Sequence, residues 1–273
     1  RAARIFKQFF GDKGYEMDLM LEKKVAMISG GSKGIGFHIA RSLAAEGCHV
    51  AISGRTQFDL DKAKEKIAVL DCGRVIYFQG DMNCTKDCEG FLATVVEEFG
   101  GVDILVNNVG GSDPKSLLET TDEDWVTAFE FNLYNAVRLS RLAIPEMKKR
   151  GGGAILNISS IAGRESGSAM TYNASKAAMI SFSKALSQQV AKDNIRVNSL
   201  CPGSVLFPGG VWERRIAASP DGLKSWVESA MPLGRFGRPE EISVVATFMV
   251  SPRASLVHGS CWNVDGSQSR SNI

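Results

Sequence analysis

Tyr172 and Lys176 stand four residues apart in the run Thr171-Tyr172-Asn173-Ala174-Ser175-Lys176. On a helix, positions i and i+4 lie on one face, so phenol and ammonium would sit side by side. A free tyrosine titrates near pH ~10 and exchanges protons poorly at neutral pH. An ammonium about 4 Å away favours the phenolate by up to about 4 kcal/mol at an effective dielectric near 20. That is roughly three pKa units at most, enough to make the tyrosine a working acid/base group. Ile158-Ser159-Ser160 lies about a dozen residues upstream. Any surface helix offers a Tyr and a Lys at this spacing by chance. The pair acquires meaning from the elements that would position it.

A second chemical constellation lies near the start of the chain. Gly30-Gly31-Ser32-Lys33-Gly34-Ile35-Gly36 follows an apolar β-branched run at 25–29 and opens a helical pattern. Glycines at a strand-to-helix junction let the backbone approach a pyrophosphate, and the helix start offers free N–H groups. The spacing Gly-x-x-x-Gly-x-Gly departs from the usual G-x-G-x-x-G, but its strand–turn–helix setting is that of a dinucleotide site. Gly30, Ser32, Lys33, Gly34, Ile35 and Gly36 are therefore candidate cofactor-binding residues. At the end of the next strand, Ser53-Gly54-Arg55-Thr56 carries no acid for a ribose 2′-hydroxyl. Arg55 and Lys33 are placed instead to bracket a 2′-phosphate, which favours NADP(H) over NAD(H).

The elements required are legible as alternating patterns. Apolar runs at 25–29, 50–53, 75–78, 104–107, 154–159, 196–200 and 261–264 read as strands covered on both faces. Helical patterns fall near 35–46, 60–70, 86–99, 122–149, 172–192 and 240–250. Regular alternation predicts an α/β fold: a single-domain, Rossmann-like, doubly wound parallel sheet of about seven strands flanked by helices. Residues 1–20 read as an N-terminal extension or tag remnant, and residues 21–273 as one catalytic domain. The irregular stretch at about 204–238, with two short helical patterns and both Trp212 and Trp226, reads as a substrate lid.

Composition narrows the class further. A chain of 273 residues, 44% hydrophobic, with net charge +2, carries no basic excess for nucleic acid and no apolar run that spans a bilayer. Six cysteines without paired zinc spacing and three scattered histidines predict no metal site. Unpaired thiols predict a reducing, cytoplasmic setting.

Together these segments resemble the short-chain dehydrogenase/reductase family from about residue 25 to residue 266. The resemblance is carried by the glycine turn, Asn107-Asn108-Val109-Gly110 (Val109 in place of the usual alanine), Asn132 in Phe131-Asn132-Leu133, Tyr172-x-x-x-Lys176, Pro202-Gly203 and Asp265-Gly266. It implies Tyr172 as proton donor to a carbonyl oxygen, and Lys176 as the group that lowers the tyrosine pKa and holds the nicotinamide ribose. It further implies a serine that polarises the carbonyl, and an Asn132 that interrupts its helix and helps hold a water relay to Lys176. Asp81 and Met82 would contact adenine, Asn108 and Gly110 the adenosine ribose, and Pro202, Gly203 and Val205 the nicotinamide. The family's usual spacing selects Ser159 as the serine. Anchoring on Ser159-Ser160-Ile161-Ala162-Gly163 selects Ser160, which is preferred because a gap costs less in the loop 164–168 than in a strand end. The implied substrate is a small-molecule carbonyl or alcohol, with 3-oxoacyl thioesters, small ketones and sugars as the expected classes. A homo-oligomer, tetramer or dimer, paired through the patterns at 122–149 and 172–192 is also implied. The alternative is a non-catalytic NADP-binding sensor or scaffold protein.

Overall fold

In the computed structural model, residues 17–70 and 73–272 are described. Residues 1–16, most of the expected extension, and Cys72 lie outside the described residues. Seven strands form one parallel sheet: β1 (Val25–Ile28), β2 (His49–Gly54), β3 (Val75–Gln79), β4 (Ile104–Asn107), β5 (Gly153–Ile158), β6 (Ile195–Pro202) and β7 (Cys261–Val264). Their spatial order is β3-β2-β1-β4-β5-β6-β7. The winding direction reverses between β1 and β4, and in such sheets the crevice at the strands' carboxyl ends there takes the ligand.

Strand alternation explains why the apolar runs are unbroken. Ala26 and Ile28 pack into one core with α1 (Gly34–Ala45), α2 (Gln57–Ala68) and α9 (Pro239–Val250). Val25 and Met27 pack into the other, with α3 (Thr85–Phe99), α5 (Asn135–Lys149) and α6 (Met170–Val190). Successive side chains face opposite ways, so a strand with helices on both faces must be apolar throughout. At the amino-terminal edge, the buried Asp103 accepts the Val25 N–H at 2.8 Å and two Arg150 N–H groups at 3.0 and 2.9 Å.

The pattern at 122–149 is not one helix. It forms α4 (Asp122–Phe129), a π-helical turn (Glu130–Tyr134) and then α5. Asn132 and Asn135 explain the break. Their side-chain amides donate to the carbonyls of Ala128 at 3.0 Å and Phe131 at 2.7 Å, each four residues back, replacing backbone donors. Arg138 and Glu130 clamp the turn through two contacts of 2.7 and 3.1 Å.

The excursion after β6 leaves the sheet and returns through a bridge between Val205 and Gly237. It carries α7 (Val211–Ala218) and α8 (Pro220–Ala230), the two short helices that the sequence pattern predicts. Trp212 and Trp226 stack with ring centroids 4.5 Å apart, and Phe236 leans on both. The boundary placed at residue 20 falls too late. Leu19 packs against the first core, and the Asp18 carbonyl accepts Arg253 Nε at 2.8 Å.

Candidate active site

The chemistry-bearing side chains converge above the carboxyl ends of β4, β5 and β6. Tyr172 and Lys176 sit one turn apart in the first part of α6, which packs over β6. Ser160 follows β5, and its hydroxyl oxygen accepts the Ala162 N–H at 3.1 Å while its side chain faces the Tyr172 hydroxyl. Ser159 points the other way. It is buried, and its hydroxyl donates to the Lys176 carbonyl at 2.9 Å. Adjacent strand residues face opposite sides, and Ser160 is the one turned to the tyrosine. Asn173 fixes the intervening loop by donating to the carbonyls of Ala162 at 2.7 Å and Glu165 at 2.6 Å.

The electrostatics of the pair run opposite to the sequence-based expectation. Lys176 is only 2% exposed, and its ammonium donates to the Ile158 carbonyl at 2.8 Å, lying 5.7 Å from the Tyr172 ring centre. Burial pulls the lysine down to about 8. Burial also holds the tyrosine above its ordinary value, opposed by the Ser160 side chain. The expected lowering of Tyr172 by Lys176 assumes an ammonium about 4 Å from the hydroxyl. Here the amine is directed to the Ile158 carbonyl, and burial sets the direction for both groups.

Gly110 is hemmed in by both polar partners of the site. A Cβ there would stand 2.8 Å from Asn132 Oδ1 and 2.9 Å from Lys176 Nζ. Asn132 is itself fully engaged with Gly111, accepting its N–H at 2.9 Å and donating to its carbonyl at 3.0 Å.

One large cavity of about 1630 Å³ joins these groups. Lys33, Ile35, Asn108, Gly110, Asn132 and Ser160 line it, as do Tyr172, Lys176, Pro202, Gly203 and Val205. Gly30, Ser32, Gly34, Gly36, Arg55, Asp81 and Met82 lie off that wall, along the ends of β1, β2 and β3. The glycine turn nevertheless has the tight geometry that the sequence implies. Gly30 takes a positive φ of 66°, and a Cβ on Gly36 would come 2.4 Å from the Gly30 carbonyl oxygen.

Three expected contacts read differently in three dimensions. The Asn108 amide donates to the carbonyls of Ser29 at 3.1 Å and Gly30 at 3.0 Å, so it clamps the glycine turn and has no N–H left for a ribose. Lys33 is neutralised by Asp59 at 2.7 Å, an acid on α2 that the turn's own sequence cannot announce. Met82 is 2% exposed and packed into the second core, so its side chain is withheld from any ligand, whereas Asp81 beside it is half-buried. Arg55 is exposed, without an ion pair among the described residues. Its 2′-phosphate role is the one these contacts leave open.

Three wall residues escape the sequence reading. Phe207, from the excursion after β6, lies so close to the glycine turn that a Cβ on Gly34 would meet its ring at 2.6 Å. Gln268, in the C-terminal tail, accepts the Ser204 N–H at 2.7 Å and donates to its hydroxyl at 3.0 Å. Glu165 accepts Ser269 Oγ at 3.1 Å and the N–H of Arg270 at 2.7 Å. No local spacing signals any of them, because their partners are distant in sequence.

Among the described residues no cluster of His, Cys, Asp and Glu is placed to hold a metal ion, and no helix is long and apolar enough to cross a membrane. A family model described as enoyl-(acyl carrier protein) reductase matches residues 30–267. The chain is 34% identical to a D-beta-hydroxybutyrate dehydrogenase of Cupriavidus necator, over 90% of this chain and 98% of that protein. It superposes on L-sorbose reductase from Gluconobacter frateurii, complexed with NADPH and L-sorbose, with a TM-score of 0.88, 35% identity and coverage of 93% and 100%. A 7 alpha-hydroxysteroid dehydrogenase complexed with NADH and 7-oxo glycochenodeoxycholic acid gives a TM-score of 0.86 at 31% identity, covering 93% of this chain and 98% of that one.

Proposed function

The chain belongs to the short-chain dehydrogenase/reductase family, and from that membership we propose that it is an NADP(H)-dependent oxidoreductase interconverting a carbonyl and a secondary alcohol. The observation that carries this reading is the Ser160 side chain turned to Tyr172 with Lys176 one turn away, all three lining one cavity. Its volume of about 1630 Å³ exceeds the roughly 300–1,000 Å³ of an ordinary ligand pocket and has room for cofactor and substrate together. The glycine turn fits a dinucleotide because its closest approaches leave no space for side chains.

Bound NADPH supplies the hydride that a carbonyl carbon accepts. The protein's own groups do the rest. Tyr172, kept protonated by burial, donates to the carbonyl oxygen, a contribution of about 10²–10⁴ in rate for a positioned general acid. Ser160 orients that oxygen and stabilises the charge it develops. Lys176, poised near neutrality, exchanges protons close to the tyrosine. Asn132 and the Ile158 carbonyl hold the lysine side of the site in place.

Arg55 supports NADP(H) over NAD(H). The end of β2 carries an exposed guanidinium where an NAD site needs a carboxylate. Arg55→Ala should raise the NADPH KM at least about tenfold and leave the NADH KM within about twofold. Equal effects on both nucleotides would remove the argument. A 3-oxoacyl thioester, small ketone or sugar is the substrate class proposed from the family. A homo-oligomer is proposed through α4–α5 and α6, where the outer face of α6 bears a shallow hollow lined by Phe182, Ala185 and Leu186. Light scattering should give the mass of two or four chains. The free thiols at Cys48, Cys84, Cys88, Cys201 and Cys261 support a reducing cytoplasmic setting.

The reaction itself is tested by NADPH consumption against a panel of ketones and 3-oxoacyl esters, with Tyr172→Phe beside the wild type. Turnover by wild type and its loss in the variant, with NADPH binding retained, is the expected result. NADPH binding without turnover in either protein would favour the non-catalytic alternative.

A further inference from the structure

The cavity wall is chemically two-sided beyond the catalytic groups. In the excursion after β6, Trp212 and Trp226 stack on each other and present an apolar aromatic cluster to the wall. Arg215 lies over Trp212 with its guanidinium 4.7 Å from the ring centre, and Arg214 lines the wall beside it. The C-terminal tail adds Arg270, held there because its backbone N–H is fixed to Glu165 at 2.7 Å.

The acids of the same cavity are already committed. Asp124 and Asp113 both turn to Lys115, at 2.7 and 3.7 Å. Glu165 accepts from Ser269 Oγ, from the N–H of Arg270 and, at 3.2 Å, from that of Ser271. Among the described residues neither Arg214 nor Arg270 makes a side-chain ion pair with any acid. A cavity with an aromatic wall, spent carboxylates and unspent guanidiniums at its exposed side has a definite chemical preference.

We propose that the substrate is an anionic ketone: a carbonyl compound with an apolar body that packs against the Trp212–Trp226 cluster and a carboxylate that meets Arg214 and Arg270. This rests on the carbonyl-reductase reading of the same cavity and narrows its substrate class. Guanidinium suits the role because it donates to both carboxylate oxygens at once. Since both arginines are exposed, the attraction is screened by salt and modest in size. The apolar body supplies affinity, and the charge supplies discrimination.

The test uses a matched pair, 4-acetylbenzoate and its methyl ester, which share the ketone and ring and differ in the charge. Binding is read from quenching of tryptophan fluorescence in the full chain, and turnover from NADPH consumption. At low salt the acid should bind about tenfold more tightly than the ester, what two exposed ion pairs supply together. The advantage should disappear in high salt and in Arg214→Gln/Arg270→Gln. It should survive in part in Arg214→Lys/Arg270→Lys, which keeps the charges, and in full in Arg253→Ala, on an arginine away from the cavity wall. An ester bound as tightly as the acid, or a preference untouched by the glutamine substitutions, overturns the proposal. Binding does not depend on turnover, so a preference for the acid without reduction of either probe would uphold the anion site and sink the catalytic reading alone.

Discussion

At the scale of single residues, the two serines that the sequence leaves in competition divide the labour. Ser160 faces the Tyr172 hydroxyl, while Ser159 is buried against the Lys176 carbonyl. Ser160→Ala is therefore expected to lower kcat by about 10²–10³ with thermal stability unchanged. Ser159→Ala should cost about 1 kcal/mol of stability and much less in kcat, a contrast that melting curves and initial rates will read directly. Lys176 shows what the site costs the fold. Its amine titrates at about 8 in the folded chain, below its ordinary 10.5, so between those values the folded state binds fewer protons than the unfolded one. Stability should rise as pH climbs through that window, and the full penalty of burying the charge is present below about 8. In nucleotide-free protein, Lys176→Met should lose activity yet gain up to about 3 kcal/mol at pH 7, with the gain shrinking toward pH 10 in urea titrations. Spacing located the pair, but the sign of its electrostatics depends on burial, which four residues of local sequence do not carry.

At the scale of elements, the strands and most helices were legible because each buries a face whose period shows in the chain. The break between α4 and α5 does not show in that period and was implied only by the resemblance at Asn132, because its cause is a side chain competing with the backbone. Asn132 takes the Ala128 carbonyl and at the same time both backbone groups of Gly111. A π turn of this kind recurs at functional positions, and here it delivers a buried amide to the loop after β4. Gly110→Ala tests how closely that loop is packed against the site. The added methyl would meet Asn132 Oδ1 and Lys176 Nζ at under 3 Å, so activity should fall at least about tenfold with little change in the circular dichroism spectrum. An active alanine variant would mean that the loop has slack. The Asn108 clamp and the Lys33–Asp59 pair were hidden for a related reason. Both join residues from different βα units, and only the parallel register brings them together.

At the scale of the whole molecule, the sheet has one edge for chemistry and one for stability. Opposite the cavity, Asp103 ties the start of β1 to Arg150 at the end of α5. Arg150→Met would leave the buried carboxylate with only the looser Lys24 contact at 3.8 Å as a charged partner, an expected loss of about 1–3 kcal/mol in denaturant unfolding. Catalytic constants of the folded fraction should stay unchanged, since no side chain of the cavity wall touches that edge. The cavity edge is tied differently, through Phe207. Its ring rests on Gly34, so a piece of the excursion after β6 lies against the turn assigned to the pyrophosphate. A nucleotide seated on that turn would have this ring as its neighbour, which would couple its entry to the position of this segment. The consequence is a sequence in time. Nucleotide is expected to add first and leave last, with its dissociation paced by that segment. Phe207→Ala should shorten that residence, visible as a faster release phase in stopped-flow displacement.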